Sequence, residues 1–423
     1  MKRVNSKNRL IAGLDIGSTD IRLVIGNEVP TESGDKLEIF GAVSVPAAGI
    51  SRGVINSIED ATSAISACLE KAERLLRVTV TDVYIGINGP NLKCERSKGV
   101  VAISRGDGEI TADDITRALE AAEAVSVPPN YEILHVMPVS YKVDNQEQVK
   151  NPLGMTGVRL EVEALVIQAL SSQIKNLTRA IDRANLHLED LVFSPLAAAS
   201  IALDDKQREL GVALVNMGAT TTSVAIYEEG ELLHTAVLPI GASHITNDIA
   251  IGLRCPITLA ERIKVRYGSA KAEKFTKKDE IDITDILHEE GLEDENSIIS
   301  QHYVAEIIQA RVEEILERVD AEFKKINRSG LLPAGVVLTG GGAKLTDIVE
   351  ISKKILKLPV TLGGNKQAAT RHDKANDPEY LTASGLVVWG DINLKQSSRH
   401  TGGFGLGSDL GGGIKKLFSI FKS

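Results

Sequence analysis

The feature that most constrains this chain is a local grammar that occurs twice. Leu10 to Ile16 is an apolar, β-branched run, Gly17-Ser18-Thr19-Asp20 is turn-rich, and Ile21 to Gly26 alternates again. Leu210 to Ile226 has the same order of apolar strand, small-residue turn and apolar strand, around Asn216-Met217-Gly218-Ala219-Thr220-Thr221-Thr222. A strand–turn–strand that recurs within one chain predicts two related halves. Each half needs its own core, and 423 residues, of which 43% are hydrophobic, suffice for roughly two to four units at about 150 residues each.

Between these hairpins the pattern is mixed. Ser57-Ile58-Glu59-Asp60 has the form of a capping box, and Ile58, Ala61, Ile65, Leu69 and Ala72 follow at helical spacing. Val78 to Ile87 reads as a strand closing that first α/β unit. From about Tyr84 to Leu160, short strand patterns (Gly99 to Ser104, Ile133 to Val143, Val158 to Val166) flank one helix, Asp113 to Ala124, which predicts a small α+β insert. Gln173 to Ala184, Ile245 to Tyr267, Val304 to Ile326 and Thr346 to Leu358 are helical by period. The acidic stretch Asp279 to Asn296 reads as surface strand and loop. Val336 to Thr339 is a buried-strand pattern ending in Gly340-Gly341-Gly342, and Leu381 to Gly390 is the last apolar helix of the body. From Asp391 to Gly413 the chain becomes polar and glycine-rich, as in a flexible tether.

Several function classes drop out. A formal net charge of −9 gives no overall basic field for nucleic acid. Cys68, Cys94 and Cys255 are far apart, and no histidine pair has metal-ligand spacing, so neither a disulfide framework nor a structural metal is expected. Asp15 interrupts the first apolar run too early for a signal peptide, and no stretch of about 18 apolar residues could span a bilayer, which points to the cytosol.

The paired turns carry the chemistry. Small residues at a turn let backbone N–H groups approach phosphate oxygens, and two such turns facing one another could clamp a triphosphate. Asp15, just before Gly17, Ser18 and Thr19, is placed to hold a hydrated Mg²⁺, and Arg22 could neutralise phosphate charge. Gly218, Ala219, Thr220 and Thr221 supply the mirrored turn, and Gly340, Gly341 and Gly342 would let a flat ring rest on bare backbone. One such turn alone is an ordinary hairpin; the ordered set is specific. No G-x-x-x-x-G-K-[ST] loop is present, and the first turn precedes a strand, not a helix, so neither a P-loop nor a Rossmann site is expected.

Leu14-Asp15-Ile16-Gly17-Ser18, Val215-Asn216-Met217-Gly218-Ala219-Thr220-Thr221 and Leu338-Thr339-Gly340-Gly341-Gly342-Ala343 resemble the two phosphate motifs and the adenosine motif of the actin-like ATPase superfamily. Pro195 to Ala199 and Leu381 to Leu386 resemble its two connecting helices, and Glu261 and Lys264 match positions that contact ribose and adenine. Within the insert, Ile133-Leu134-His135-Val136-Met137-Pro138 and Asn151-Pro152-Leu153-Gly154-Met155-Thr156-Gly157-Val158-Arg159-Leu160-Glu161 resemble the signature of the FtsA family of bacterial cell-division proteins. The likeness runs from about residue 10 to the end of the chain.

It implies an α/β, actin-like two-lobed fold made of duplicated RNase H-like halves with an FtsA-type α+β insert. The first core half would comprise 10–83, 161–206 and 385–392, the insert 84–160, the second core half 207–245 and 331–384, and a small subdomain 246–330. It further implies ATP and Mg²⁺ as cofactors, self-assembly into a filament, and FtsZ as partner through its C-terminal peptide, docked on 246–330 and in particular on helix Val304 to Ile326. Other division proteins are expected as further partners. The chain departs from the pattern at Asn216 and Ser223, where the family usually has aspartate. An amide cannot act as general base, so ATP is expected to be bound and hydrolysed slowly at most, with no catalytic residue assigned.

After a linker at 393–413, Ile414, Leu417, Phe418 and Phe421 fall at i, i+3, i+4 and i+7, while Lys415, Lys416 and Lys422 lie off that stripe. An anionic bilayer surface supplies the apolar phase and the attraction that such a short helix needs, so 414–423 reads as an interfacial anchor. The composite expectation is a peripheral protein on the cytoplasmic side of the inner membrane at the division site, tethering FtsZ filaments during septum formation. Two alternatives are an actin-like pilus-assembly protein that recruits a membrane partner's peptide, and a sugar- or acetate-kinase-like phosphotransferase.

Overall fold

A computed structural model describes residues 9–31, 34–124, 127–291 and 297–400. Leu10–Ile16 and Asp20–Thr31 form the expected antiparallel hairpin, in register Leu14↔Leu23 and Ile16↔Ile21, because alternating apolar residues place Leu14, Ile21, Leu23 and Ile25 inside. Gly34–Pro46 extends it antiparallel, and Asp82–Ile87 and His187–Phe193 add on the other side in parallel. The second sheet has the same plan. Val212–Met217, Thr222–Glu228 and Glu231–Leu238 form the antiparallel meander, and Gly335–Thr339 and Val360–Leu362 join in parallel. Over these five strands, order and direction coincide in the two sheets, which is the duplication that the repeated hairpin predicts; Ala369–Thr370 adds a short parallel sixth strand to the first sheet beside Gly34–Pro46.

Two helices connect the halves. Ser194–Ala202 and the first half of Leu381–His400 are apolar nearly all round, so Ser194–Ala202 lies almost wholly inside and residues 381–391 are buried, with Trp389, Leu386 and Leu381 inside the shared core. They cross in near contact: a Cβ on Gly385 would stand 1.8 Å from the Ala197 carbonyl oxygen. Ile58–Leu76, capped by the Ser57 hydroxyl accepting from the Asp60 N–H, packs on the first sheet with Ser171–Arg183. Gln301–Lys325 and Ile348–Leu356 cover the second. The insert folds as its own sheet, in the order Lys93–Ala102, Arg159–Leu170, Tyr131–Val143, Gln146–Val149, with Ala112–Glu123 laid on it.

Four segments differ from the sequence reading. The strand expected from Val78 starts at Asp82. The single helix expected over 245–267 is two, Ala242–Leu253 and Ile257–Tyr267, because Pro256 has no N–H to continue the first and Arg254 caps it in the left-handed region at φ 53. Within the acidic stretch, Glu280–Asp282 is a strand, but Thr284–Glu289 is helical, anchored by buried Ile286 and Leu287. The last helix runs on to His400, past the expected start of the tether at 393, since Asn393 is buried and bonds Asp190, and Lys395 pairs with Asp391 one turn back. The rest of the tether and the amphipathic segment 414–423 lie outside the described residues. Among those described, no helix is long and apolar enough to cross a membrane.

Candidate functional site

The two hairpin turns come together. Gly17 N–H donates to the Asp20 carbonyl at 3.0 Å, and Gly218 N–H donates to the Thr221 carbonyl at 2.9 Å, so both turns close by the same bond. They touch through their hydroxyls, Ser18 Oγ to Thr220 Oγ1 at 2.8 Å. Gly53 N–H donates to Ser18 Oγ, and Asn88 Nδ2 donates to Thr221 Oγ1, which pins each turn from a neighbouring loop. Among the described residues, the Ser18, Thr19, Ala219 and Thr220 amides donate to no protein acceptor. Four unpaired amides on two facing turns make a concave cradle for anionic oxygens.

The cradle floors a cavity of about 1080 Å³ lined by all fifteen residues singled out above: Asp15, Gly17, Ser18, Thr19, Arg22, Asn216, Gly218, Ala219, Thr220, Thr221, Glu261, Lys264, Gly340, Gly341 and Gly342. Gly340 has φ 84, and a Cβ there would stand 2.4 Å from Asn216 Oδ1, so the third glycine element is seated directly on the second turn. A Cβ on Gly341 would meet nothing within 4 Å, and the residue presents bare backbone to the cavity. At the far wall Lys264 Nζ donates to Glu261 Oε2 at 2.6 Å and to Thr246 Oγ1 at 2.8 Å, which fixes both side chains on helix Ile257–Tyr267.

Charge is distributed unevenly. Asp15 is the penultimate residue of the first strand, and burial pushes its carboxyl up to about 6, with Arg22 opposing the rise. Asn216, at the matching place in the second sheet, is neutral and donates from Nδ2 to Thr382 Oγ1 at 3.1 Å. The sequence reading missed Glu379 and Lys344, both on the cavity wall. Glu379 accepts from Arg22 and from Lys344; burial alone would raise its carboxyl, and these two cations hold it below its ordinary value. Lys344 stands two residues after the glycine triplet and was legible to that extent. Glu379 carries no local signal, because it reaches the site only through tertiary contact. Asn88, Gly53, Ser194 and Thr382 also line the cavity.

The residues suit a polyanion joined to a flat group. Arg22 Nε, Asn88 Oδ1 and Ser194 Oγ are buried without a protein partner on residues that line the cavity. Such atoms are costly to bury unless something meets them. A separate cluster, Asp82, His187 and Glu189, brings potential metal-ligating atoms within 4.8 Å of one another at an end of the first sheet, a gathering that sequence spacing does not reveal. Arg9 already pairs with Glu189, and the Thr81 hydroxyl with Asp82.

Comparison with known proteins agrees with this architecture. Residues 213–385 match the family model for cell division protein FtsA, and residues 89–168, which contain most of the insert sheet, match the SHS2 domain inserted in FtsA. Cell division protein FtsA of Pseudomonas aeruginosa is 35% identical over 382 residues, 90% of this chain and 89% of that one. Among solved structures, the PilM–PilN type IV pilus biogenesis complex superposes with a TM-score of 0.65 at 16% identity, covering 90% of this chain and 98% of that chain. MreB5 of Spiroplasma citri bound to ADP does so at 0.54 and 13%, covering 92% and 98%. These two share the actin-like fold, whereas the identity to the Pseudomonas protein spans both sheets and the insert together. With the duplicated sheets, the paired turns and the inserted domain all in place, the chain belongs to the FtsA family of bacterial cell-division proteins.

Proposed function

We propose that this chain binds ATP with Mg²⁺ between its two halves, polymerises, and holds FtsZ filaments to the cytoplasmic face of the inner membrane at the division site. The observation that carries the nucleotide reading is the pair of mirrored turns, in hydroxyl contact, with four unpaired amides at the floor of one cavity. The Ser18, Thr19, Ala219 and Thr220 amides bind phosphate oxygens from two sides, Arg22 neutralises them, Gly341 lies under the base, and Lys264 with Glu261 meets the ribose. Asp15 is positioned to accept from water on the metal, which when bound would offset phosphate charge. That a protein of the same fold is bound to ADP supports the nucleotide reading.

Turnover is expected to be slow. With Asn216 held by Thr382 where a carboxylate would take a proton from water, the site orients without abstracting. The same amide counts against a phosphotransferase. The inserted domain and the family match favour cell division over the pilus reading.

For the FtsZ C-terminal peptide, the surface favoured is a groove of about 350 Å³ between helices Ala242–Leu253 and Gln301–Lys325. Ile251 is 76% exposed there beside Ile307, an apolar floor, and Arg311 is held at one wall by Asp248. The 414–423 segment supplies the membrane contact.

The test is calorimetry of the full chain with Mg²⁺ and ATP, beside the same titration on Gly341→Val, whose side chain would enter the open space over Gly341. Binding by the wild type that the variant loses, without a change in its thermal melt, supports the reading. No heat with any adenine nucleotide sinks it. For the groove, Ile251→Glu should abolish capture of an FtsZ tail peptide and leave nucleotide binding intact.

A further inference from the structure

We propose that Glu379 is a positioning residue that presets Arg22 and Lys344 to recognise the terminal phosphate of a triphosphate over a diphosphate. The inference rests on the nucleotide reading above.

Arg22 arises from the first sheet and Lys344 from the turn after the glycine triplet on the second, yet they converge on one carboxylate. Arg22 Nη2 donates to Glu379 Oε2 at 3.2 Å and Lys344 Nζ donates to Glu379 Oε1 at 3.0 Å, so each oxygen holds one cation. Arg22 is fixed from two further directions. Its Nη2 also reaches Asp20 Oδ2 at 3.1 Å, and its Cζ lies 5.6 Å from the centre of the Tyr380 ring. The other guanidinium nitrogens are uncommitted. Nε is buried with no protein partner, and Nη1 stands 3.8 Å from where a Cβ on Gly17 would lie, beside the first turn.

One nitrogen is therefore a tether, and Nη1 remains as a donor next to the anion cradle. A free arginine must give up its rotamer freedom when a ligand arrives, whereas this one has already done so. The backbone cradle can serve any phosphate chain, but a group one phosphate longer meets donors already in place, and guanidinium donors match phosphate oxygens in geometry as well as charge. Glu379 also limits the repulsion between two cations drawn to one cavity wall.

The test uses the full chain and compares affinity for a non-hydrolysable ATP analogue and for ADP, both with Mg²⁺, in wild type, Glu379→Gln and Glu379→Asp, with thermal melts alongside. Glu379→Gln should lower the triphosphate-to-diphosphate affinity ratio about tenfold, mainly through the triphosphate, with ADP affinity changed less than about twofold. Glu379→Asp, which keeps the charge on a shorter arm, should fall between. If Glu379→Gln does not fold, the shorter-arm variant carries the comparison. An unchanged ratio, equal loss of both ligands, or tighter triphosphate binding overturns the proposal. Wild type that binds ADP and the analogue with no effect of Glu379 sinks this inference alone. Wild type that binds neither sinks the nucleotide reading and this one with it.

Discussion

At the scale of single residues, Asp15 is a cavity side chain whose burial works against the fold. Its carboxyl titrates at about 6 against an ordinary 3.8, so the folded chain binds that proton more tightly than the unfolded chain does. The charged form therefore costs about 3 kcal/mol above pH 6, and the cost fades as pH falls from 6 towards 4. Asp15→Asn is expected to raise the melting temperature of the nucleotide-free protein at pH 7.5 and to make much less difference near pH 4, as melts at the two pH values would show. The same group gives the opposite trend for ligand: Mg²⁺-nucleotide affinity of the wild type should weaken below pH 6, where Asp15 gains the proton. Adjacent glycines of the triplet should differ sharply. Gly340→Ala forces a side chain into φ 84 and to 2.4 Å from Asn216 Oδ1, and is expected to cost about 2 kcal/mol or more in a urea melt. Gly341→Ala, with open space above it, should cost well under 1 kcal/mol.

At the scale of elements, the final helix decides how the halves meet. A Cβ at Gly385 would lie 1.8 Å from a backbone oxygen of helix Ser194–Ala202, an atom that cannot rotate away, so Gly385→Val must push the helices apart. A loss of about 3 kcal/mol or more is expected, measured by denaturant unfolding. Elements were legible in sequence where apolar periodicity was strong. Leu10–Ile16 and Thr222–Glu228 alternate or run apolar because they pair inside a sheet, and Gln301–Lys325 repeats at helical spacing because one face lies on the second sheet. They were illegible where burial depends on distant partners. Thr284–Glu289 reads as a charge run, since only Ile286 and Leu287 face inward. Residues 393–400 read as tether because the bond of Asn393 to Asp190 joins positions that sequence does not bring together.

At the scale of the whole molecule, the proposed division of labour predicts separable losses. Removing residues 414–423 is expected to abolish co-sedimentation with anionic liposomes while nucleotide affinity stays unchanged; retained sedimentation would show that the membrane contact lies elsewhere. The sequence by itself determined the repeated strands and the small-residue turns between them, because strand periodicity and turn-forming residues are local properties. What only the tertiary structure decided is how the two halves share one cavity. Ser18 meets Thr220, and Arg22 and Lys344 meet Glu379, across hundreds of residues of chain, since charge pairing and close packing act through space.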